Sequence, residues 1–303
     1  MKASIPASIV KAGHPDFALL TSLAKEIVRR AGGQGPLQAG FTAMLREAID
    51  SVIMTPKTGR RAYVELEKTE KTYIGTRVEI ELRSLLKLPK GKLDTVILGH
   101  DVDIKHTMGN NWMIPTEAVG HPCILVAADE TKAKCYLGLV VAHPHYLTMG
   151  QNKDSKKTIS AQGFENILWI FNAVHYPPNF WRHVPNAVVQ SIYQQKTGNG
   201  RVVELFKGLQ RTIITRDVIE ATAMQKDFMR RIRADNKRGT RDILAKQGIL
   251  LLNGHYDKAL IAALGLPQCT KSEFVSHTPK TAAEVQKAAS HGHTVVWNPP
   301  ATP

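Results

Sequence analysis

Asp94, Asp103 and Lys105, within the stretch LDTVILGHDVDIKH from Leu93 to His106, are of the types and spacing that could cleave a phosphodiester. Two runs rich in β-branched residues, Thr95 to Leu98 and Asp101 to His106, flank Gly99-His100, a pair suited to a two-residue hairpin turn. That turn sets Leu98 opposite Asp101, Val96 opposite Asp103 and Asp94 opposite Lys105. Side chains alternate along a strand, so Asp94, Asp103 and Lys105 share one face with Val96, while Thr95, Ile97, Val102 and Ile104 face the core. Diagonal neighbours on one face lie roughly 7 to 8 Å apart, near enough for two carboxylates to share a cation. Oxygen-only ligation suits Mg²⁺, which takes one or two carboxylates plus substrate phosphates. Such an ion makes and orients hydroxide and stabilises the charge on a phosphodiester under attack, with Lys105 beside the water or the phosphate. The same three residues also read as a salt bridge on the solvent face of an edge hairpin. A one-residue slip of register would break their convergence.

The elements that must hold this hairpin are legible on either side of it. Before it, Thr76 to Leu88 reads as a helix whose apolar stripe is Val78, Leu82, Leu85 and Leu86. Glu79 borders one side of that stripe and Glu81 the other, so helical geometry does not choose between them, and either fits a solvated flank. Earlier still, Phe17, Leu20, Leu23, Ile27 and Val28, and then Phe41, Leu45, Ile49 and Ile53, recur at helix spacing around a Gly-rich turn. Thr55 to Arg61 is a basic loop that is either solvated or in contact with phosphate.

After the hairpin, Cys123 to Ala128 and Tyr136 to Ala142 are short apolar runs between turns, and read as buried strands. The expected fold is α/β, a mixed sheet with flanking helices. Asn110 and Asn111 follow Lys105 closely enough to lie near a ligand, whereas Trp112 before Ile114-Pro115 reads as core. His143 and His145, separated by Pro144 and without a third ligand nearby, read as a turn rather than a metal pair.

From Gln151 the chain is polar and basic, QNKDSKK, and is expected to be a linker over 151–163 between a first domain, 1–150, and a second, 164–303. In the second, Phe164 to Val174 reads as an apolar helix and Tyr176-Pro177-Pro178 as a break. Three short helices are expected at Leu205 to Arg211, Arg216 to Ala223 and Gln225 to Arg233, with Thr215 as the N-cap of the middle one. Their succession resembles a catabolite-activator-type helix-turn-helix, mainly helical, with Ile249 to Leu252 as a strand of a wing. On the third helix Gln225, Phe228 and Ile232 face inward, and Lys226, Met229, Arg230 and Arg233 face outward. Lys226, near the helix N-terminus, is placed to read bases, and Arg230 and Arg233 to grip phosphates; a solvated basic face is the alternative. The segment from His277 onward, rich in Thr, Pro and Ala, is expected to be weakly ordered.

The whole chain of 303 residues carries a formal charge of +14 and an isoelectric point near 9.7, a balance that favours a polyanionic partner, most commonly nucleic acid. The three cysteines, Cys123, Cys135 and Cys269, lack metal-binding spacing and fit free thiols in a reducing cytoplasm. Neither a basic region followed by an apolar run at the start nor any span of membrane length is present.

The Asp, then Asp-x-Lys pattern resembles the PD-(D/E)xK nuclease core, and the wider run resembles the NaeI family of type II restriction endonucleases. In the first half the resemblance rests on Thr58-Gly59-Arg60, Lys68-Thr69-Glu70-Lys71-Thr72, Gly75-Thr76, Val78-Glu79-Ile80, Asp94, Val102-Asp103, Lys105 and Trp112-Met113. In the second it rests on Glu204-Leu205-Phe206, Asp227-Phe228-Met229 and Leu264-Gly265-Leu266-Pro267. Leu93 departs from the wider superfamily by standing where its motif has proline, a position that ligates nothing. The resemblance implies a Mg²⁺-dependent endonuclease acting on double-stranded DNA, in which Glu79, Asp94 and Asp103 hold the ion and Lys105 assists the attacking water. It further implies a homodimer that binds two copies of its recognition sequence, one cleaved and one acting as effector. Two other readings are a helix-turn-helix regulator with an inactive nuclease-like domain, and a mismatch-repair type nicking endonuclease. The intact Asp94, Asp103 and Lys105 argue against the first, and the large basic second half against the other.

Overall fold

The apolar spacing of the first fifty residues folds as two helices, α1 (Phe17–Arg30) and α2 (Gln34–Ile53), which bury Leu20, Leu23 and Ile27 from the first and Phe41, Leu45 and Ile49 from the second. Gly32 and Gly33, both at positive φ, turn the chain between them. A computed structural model describes residues 5–6, 9–150, 155–225, 229, 232 and 238–297. It divides into one unit of Met1–Ile53 with Ala62–Asn179, and another of Met54–Arg61 with Phe180–Pro303.

In the first unit the next long helix, α4 (Lys68–Leu85), follows a helical turn, α3 (Thr55–Thr58), that belongs to the second. It starts well before Thr76, where the apolar stripe begins, because its polar first turns are capped: Glu67 N–H donates to Glu70 Oε2 at 2.9 Å. Its buried residues are Ile74, Val78 and Leu82. Strands β1 (Thr95–Ile97), β2 (His100–Thr107), β3 (Met113–Ile114), β4 (Pro122–Asp129) and β5 (Lys134–Val141) follow. After them come β6 (Lys157–Thr158), α5 (Ala161–Glu165) and β7 (Leu168–His175).

The five-stranded sheet has the order β1-β2-β4-β5-β7, in which only β2 and β4 run parallel. Alternation along β4 gives the sheet two apolar faces. Ile124, Val126 and Ala128 join the core that holds the buried residues of α1, α2 and α4, whereas Cys123, Leu125 and Ala127 join a second core around Trp112, Ile114 and Tyr146.

The hairpin forms, with a different turn. Ile97 pairs with His100, Val96 with Asp101 and Thr95 with Val102, so the two turn residues are Leu98 and Gly99 rather than Gly99 and His100. Both have positive φ, 50° and 81°, as a type I′ turn requires. The partner of each β1 residue is therefore two residues from the expected one. A shift of two preserves every side-chain face, so Asp103 and Lys105 still share a face while Thr95, Ile97, Val102 and Ile104 are buried.

Beyond residue 150 the expectations need correction. Residues 168–175 form not a helix but β7, an edge strand paired with β5. A continuous apolar run fits either element, and Trp169, Ile170, Phe171 and Val174 are better strand formers. Gly138 makes room for it, since a Cβ there would meet Ile167 at 2.7 Å and the Trp169 ring at 2.8 Å. Part of the expected linker is also paired: β6 with β3, and Ile159 with Leu147. The first unit thus extends to Asn179, not to residue 150.

The second unit contains α6 (Asn186–Gln194), α7 (Gly198–Gly208), β8 (Ile214–Thr215) and α8 (Arg216–Ala223). Thr215 caps α8 as expected, its side chain accepting from Val218 N–H. Strand β9 (Leu250–Asn253) lies where a strand was expected over Ile249 to Leu252 and, with β8 and β10 (Glu273–His277), makes a sheet of order β8-β10-β9. The region after His277 is not featureless: Ala282–Ser290 is a helix, capped by the Thr281 side chain accepting from Glu284 N–H. No described helix is long and apolar enough to cross a membrane.

Candidate active site

Asp94 immediately precedes β1, and extending the hairpin register by one residue sets it opposite Asp103. Its Oδ2 accepts the Ile104 backbone N–H at 2.6 Å, and its carbonyl accepts from Arg83 Nη1 of α4 at 3.1 Å. Lys105 Nζ donates to Asp103 Oδ1 at 2.8 Å and to the Ile104 carbonyl at 3.1 Å, and lies 3.5 Å from Asp94 Oδ2. The loop before the hairpin is fastened by Lys92 N–H donating to Asp101 Oδ1 at 2.8 Å. Gly91 allows that approach, since a Cβ there would meet Asp101 Oδ1 at 2.5 Å and the Thr95 carbonyl at 2.8 Å.

Geometry also separates Glu79 from Glu81, which the helical stripe does not. Glu81 is paired along α4 with Arg77 at 2.8 Å. Glu79 faces Asp94, and its carboxyl is held above the ordinary carboxylate range by burial and by the Asp94 charge, against the pull of Arg83 and Lys105. The structure thus brings Glu79, Asp94, Asp103 and Lys105 together. Arg83 is the neighbour that sequence reasoning missed. Its signal was its place four residues after Glu79, one helical turn on the same face.

Charge in this cluster is unbalanced toward anions. Asp103 is 3% exposed, and its carboxyl is pushed up to about 6, by burial first, with Lys105 opposing and Asp94 reinforcing. Burial also works against the Lys105 ammonium, but Asp103 and Asp94 outweigh it and raise its pKa, so it stays charged at neutral pH. Asp103 Oδ2 is buried without a hydrogen-bond partner, an expensive state for a carboxylate oxygen unless a cation meets it. Among the described residues no three His, Cys, Asp or Glu side chains already form a metal cage. A hard divalent ion needs less, because one or two carboxylates with substrate oxygens suffice for Mg²⁺. An all-oxygen donor set with an orphaned buried oxygen fits such an ion.

Other candidates resolve differently. Asn111 is a structural pin: its Oδ1 accepts from Trp112 N–H and Ile159 N–H, and its Nδ2 donates to the Ile159 carbonyl. Trp112 is fully buried, its Nε1–H on the Val126 carbonyl at 2.8 Å. His143 and His145 flank Pro144 in a turn, and His143 Nε2 bonds Asp16 Oδ2 at 2.9 Å. Lys226, Arg230 and Arg233 lie outside the described residues. Of their neighbours, Ile232 is buried in the second unit's core as expected, but Met229 packs against that core instead of facing outward. Gln225, expected inward on the third helix, is exposed in the bend after α8.

The family model described as restriction endonuclease NaeI matches residues 25–295. The type II restriction enzyme NaeI of Lentzea aerocolonigenes is 35% identical over 245 residues, covering 77% of this chain and 76% of the relative. A hairpin with two aspartates and a lysine, a glutamate brought to it by the preceding helix, and a match over nearly the whole chain lead to one conclusion: the chain belongs to the NaeI family of type II restriction endonucleases, site-specific deoxyribonucleases.

Proposed function

We propose that Glu79, Asp94, Asp103 and Lys105 form the catalytic centre of this endonuclease, and that Glu79, Asp94 and Asp103 hold Mg²⁺. The observation that carries the reading is Asp103 Oδ2, a buried carboxylate oxygen without a partner beside a lysine that uses only the other oxygen. When bound, the ion supplies a Lewis acid for the phosphodiester and lowers the pKa of the attacking water. The residues do the remaining work. Asp103, rigid on β2, and Asp94, fastened through both its carboxylate and its carbonyl, fix where the phosphate is presented. Lys105, charged at neutral pH and with two of its three Nζ–H donors on Asp103 and the Ile104 carbonyl, donates the third to the non-bridging phosphate oxygen on which charge accumulates as the adjacent water attacks, rather than accepting a proton.

In this reading the substrate is double-stranded DNA, and the enzyme is a homodimer that takes a second site as effector. Its second unit is a winged helix-turn-helix, with α8 as a helix of the motif and β9–β10 as the wing. There Lys226 reads bases and Arg230 and Arg233 hold phosphates. Support comes from the capped α8, from Ile232 in the core and from the net charge of +14. Three free cysteines, two of them buried, fit a cytoplasmic protein.

Digestion of a plasmid with and without Mg²⁺ tests the reading. Defined double-strand fragments that require the ion are expected, and sequencing their ends gives the cut position. A nick alone, or DNA binding without any cleavage, overturns it.

A further inference from the structure

The chain that joins α4 to the hairpin, 86–94, reads LKLPKGKLD and places Lys87, Lys90 and Lys92 just ahead of Asp94. It is fixed by hydrogen bonds along its length. Lys87, at φ +50°, turns the chain off the helix, and Leu88 N–H donates back to the Arg83 carbonyl at 2.9 Å while its side chain is buried. The Pro89 carbonyl accepts from Val96 N–H at 3.3 Å and from Thr95 Oγ1 at 2.7 Å, so the loop covers the outer edge of β1, the end strand of the sheet. Gly91 and Lys92 then rest on Asp101, through the Lys92 N–H bond and the close approach that Gly91 permits. Asp101 stands two residues before Asp103 on β2 and shares its face. The loop thus rounds the sheet edge from buried Leu88 to the face that carries Asp103 and Lys105.

Its charges are not spent on the protein. Lys87, Lys90 and Lys92 are exposed, and among the described residues their ammonium groups form neither an ion pair nor a hydrogen bond. Asp101, the acid on which the loop rests, gives Oδ1 to the Lys92 backbone N–H and not to an ammonium. Arg30 donates to the Lys87 carbonyl at 2.9 Å and is itself paired with Glu26.

What these lysines serve follows from their neighbour. Glu79, Asp94 and Asp103 outnumber Lys105 at the centre, so a phosphodiester brought there meets repulsion, which unpaired ammonium groups beside it offset. Two residues of chain span at most about 7 Å, so the Lys92 backbone lies within that distance of Asp94. Phosphates on one DNA strand advance only about 3.4 Å each along the duplex axis. With one phosphate at Asp94 and Asp103, its neighbours on the same strand come within reach of flexible four-carbon side chains on this loop.

We infer that Lys90 and Lys92 bind the phosphates next to the scissile one and hold the strand being cut. The inference rests on the catalytic centre proposed at Asp94, Asp103 and Lys105, and adds to it the grip on the substrate strand. These contacts set register and carry no sequence information.

The test uses the full-length protein. Sequencing the ends of fragments from wild-type digests gives the cut position, and duplex affinity is then measured without divalent metal across a salt series. The proteins are wild type, Lys90→Gln/Lys92→Gln, and a charge control, Lys11→Gln. Lys11 is exposed and follows Val10, whose N–H donates to the Ile167 carbonyl beside β7, at the opposite edge of the sheet from β1. The double variant should bind about tenfold or more weakly at low salt and lose about two from the salt slope, and the control should change affinity by less than about twofold. A second series uses duplexes in which one phosphate at a time is replaced by an uncharged methylphosphonate. Neutralising a phosphate beside the cut should weaken wild-type binding severalfold and leave the already weakened double variant nearly unchanged. Equal thermal melting of the proteins establishes that the fold is kept. Wild-type affinity and slope in the double variant, or an equal loss in the control, overturns the inference and leaves the nuclease centre standing. Equal further losses for wild type and double variant at every neutralised phosphate overturn the placement beside the cut. Absence of Mg²⁺-dependent cleavage by the wild type overturns the centre itself, and with it this placement.

Discussion

Lys105 Nζ lies 2.8 Å from Asp103 Oδ1, while Oδ2 of the same carboxylate is buried and has no partner. The carboxylate is thus divided in use: one oxygen meets the protein's own cation, and the other is the one that the proposed centre gives to Mg²⁺. A simple salt bridge needs no such division, and an exposed pair contributes little to stability. The proposed centre accounts for a buried anion at this position through binding, not through folding.

Replacing Asp103 with asparagine should therefore remove cleavage while leaving duplex binding within about threefold of wild type, since one neutral amide among many phosphate contacts changes little of the electrostatic affinity. The substitution keeps shape and hydrogen-bonding capacity, but an amide is a poor ligand for a hard cation. Single-turnover cleavage and binding without metal measure the two effects. Cleavage at wild-type rate in Asp103→Asn would remove Asp103 from the centre.

Lys105→Ala should slow the chemical step by about 10² to 10³, the range for loss of one donor aimed at developing charge. Its duplex affinity should fall far less. The check is a comparison of single-turnover rate at saturating DNA with affinity measured at one ionic strength. If both fall equally, Lys105 anchors the substrate and takes no part in the chemistry.

The site was more legible in the sequence than its surroundings, for physical reasons. Face alternation in a hairpin depends only on parity, so Asp103 and Lys105 kept a common face although the turn moved to Leu98-Gly99. The move itself was hard to see because Leu98 adopts φ +50°, a conformation that a non-glycine residue reaches only at some cost, and that here is forced by the pairing of Ile97 with His100. Glu79 and Glu81 were indistinguishable from helical periodicity because the choice is tertiary: one meets Asp94 and the other is taken by Arg77. Residues 168–175 were misread because an apolar run buried by strand pairing carries no period that separates it from a helix.

Arg83 is a positioning residue whose loss should show in metal response. It donates to the Asp94 backbone carbonyl, and its charge opposes the raised pKa of Glu79, so it bears on two of the proposed ligands. Second-sphere losses of this kind cost about 10- to 100-fold in metal affinity. Arg83→Ala should raise the Mg²⁺ concentration for half-maximal cleavage by at least about tenfold, with the rate at saturating Mg²⁺ much less affected and with Arg83→Lys partly restoring the response. An unchanged Mg²⁺ midpoint with a uniformly lower rate would show that Arg83 merely supports the fold.

The metal-free protein should also record the cost of ionising Asp103. Its carboxyl moves from an ordinary value of 3.8 to about 6 in the folded chain, chiefly through burial. A carboxyl whose pKa rises on folding binds its proton more tightly in the folded state. It therefore stabilises the fold below its unfolded pKa, and that contribution is lost as pH rises through its folded pKa. The window is thus pH 4 to 7, and the shift corresponds to about 3 kcal/mol at most. Asparagine does not titrate, so urea unfolding in EDTA should show wild type losing stability relative to Asp103→Asn between pH 4.5 and pH 7.5. Saturating Mg²⁺ at pH 7.5 should return more of the loss to wild type than to the variant, which keeps only Glu79 and Asp94 of the proposed ligands, because the ion binds the folded state through the ionised carboxylates. Parallel pH profiles for the two proteins in EDTA would mean that Lys105 already compensates Asp103 fully, and the orphaned Oδ2 would then need a different explanation.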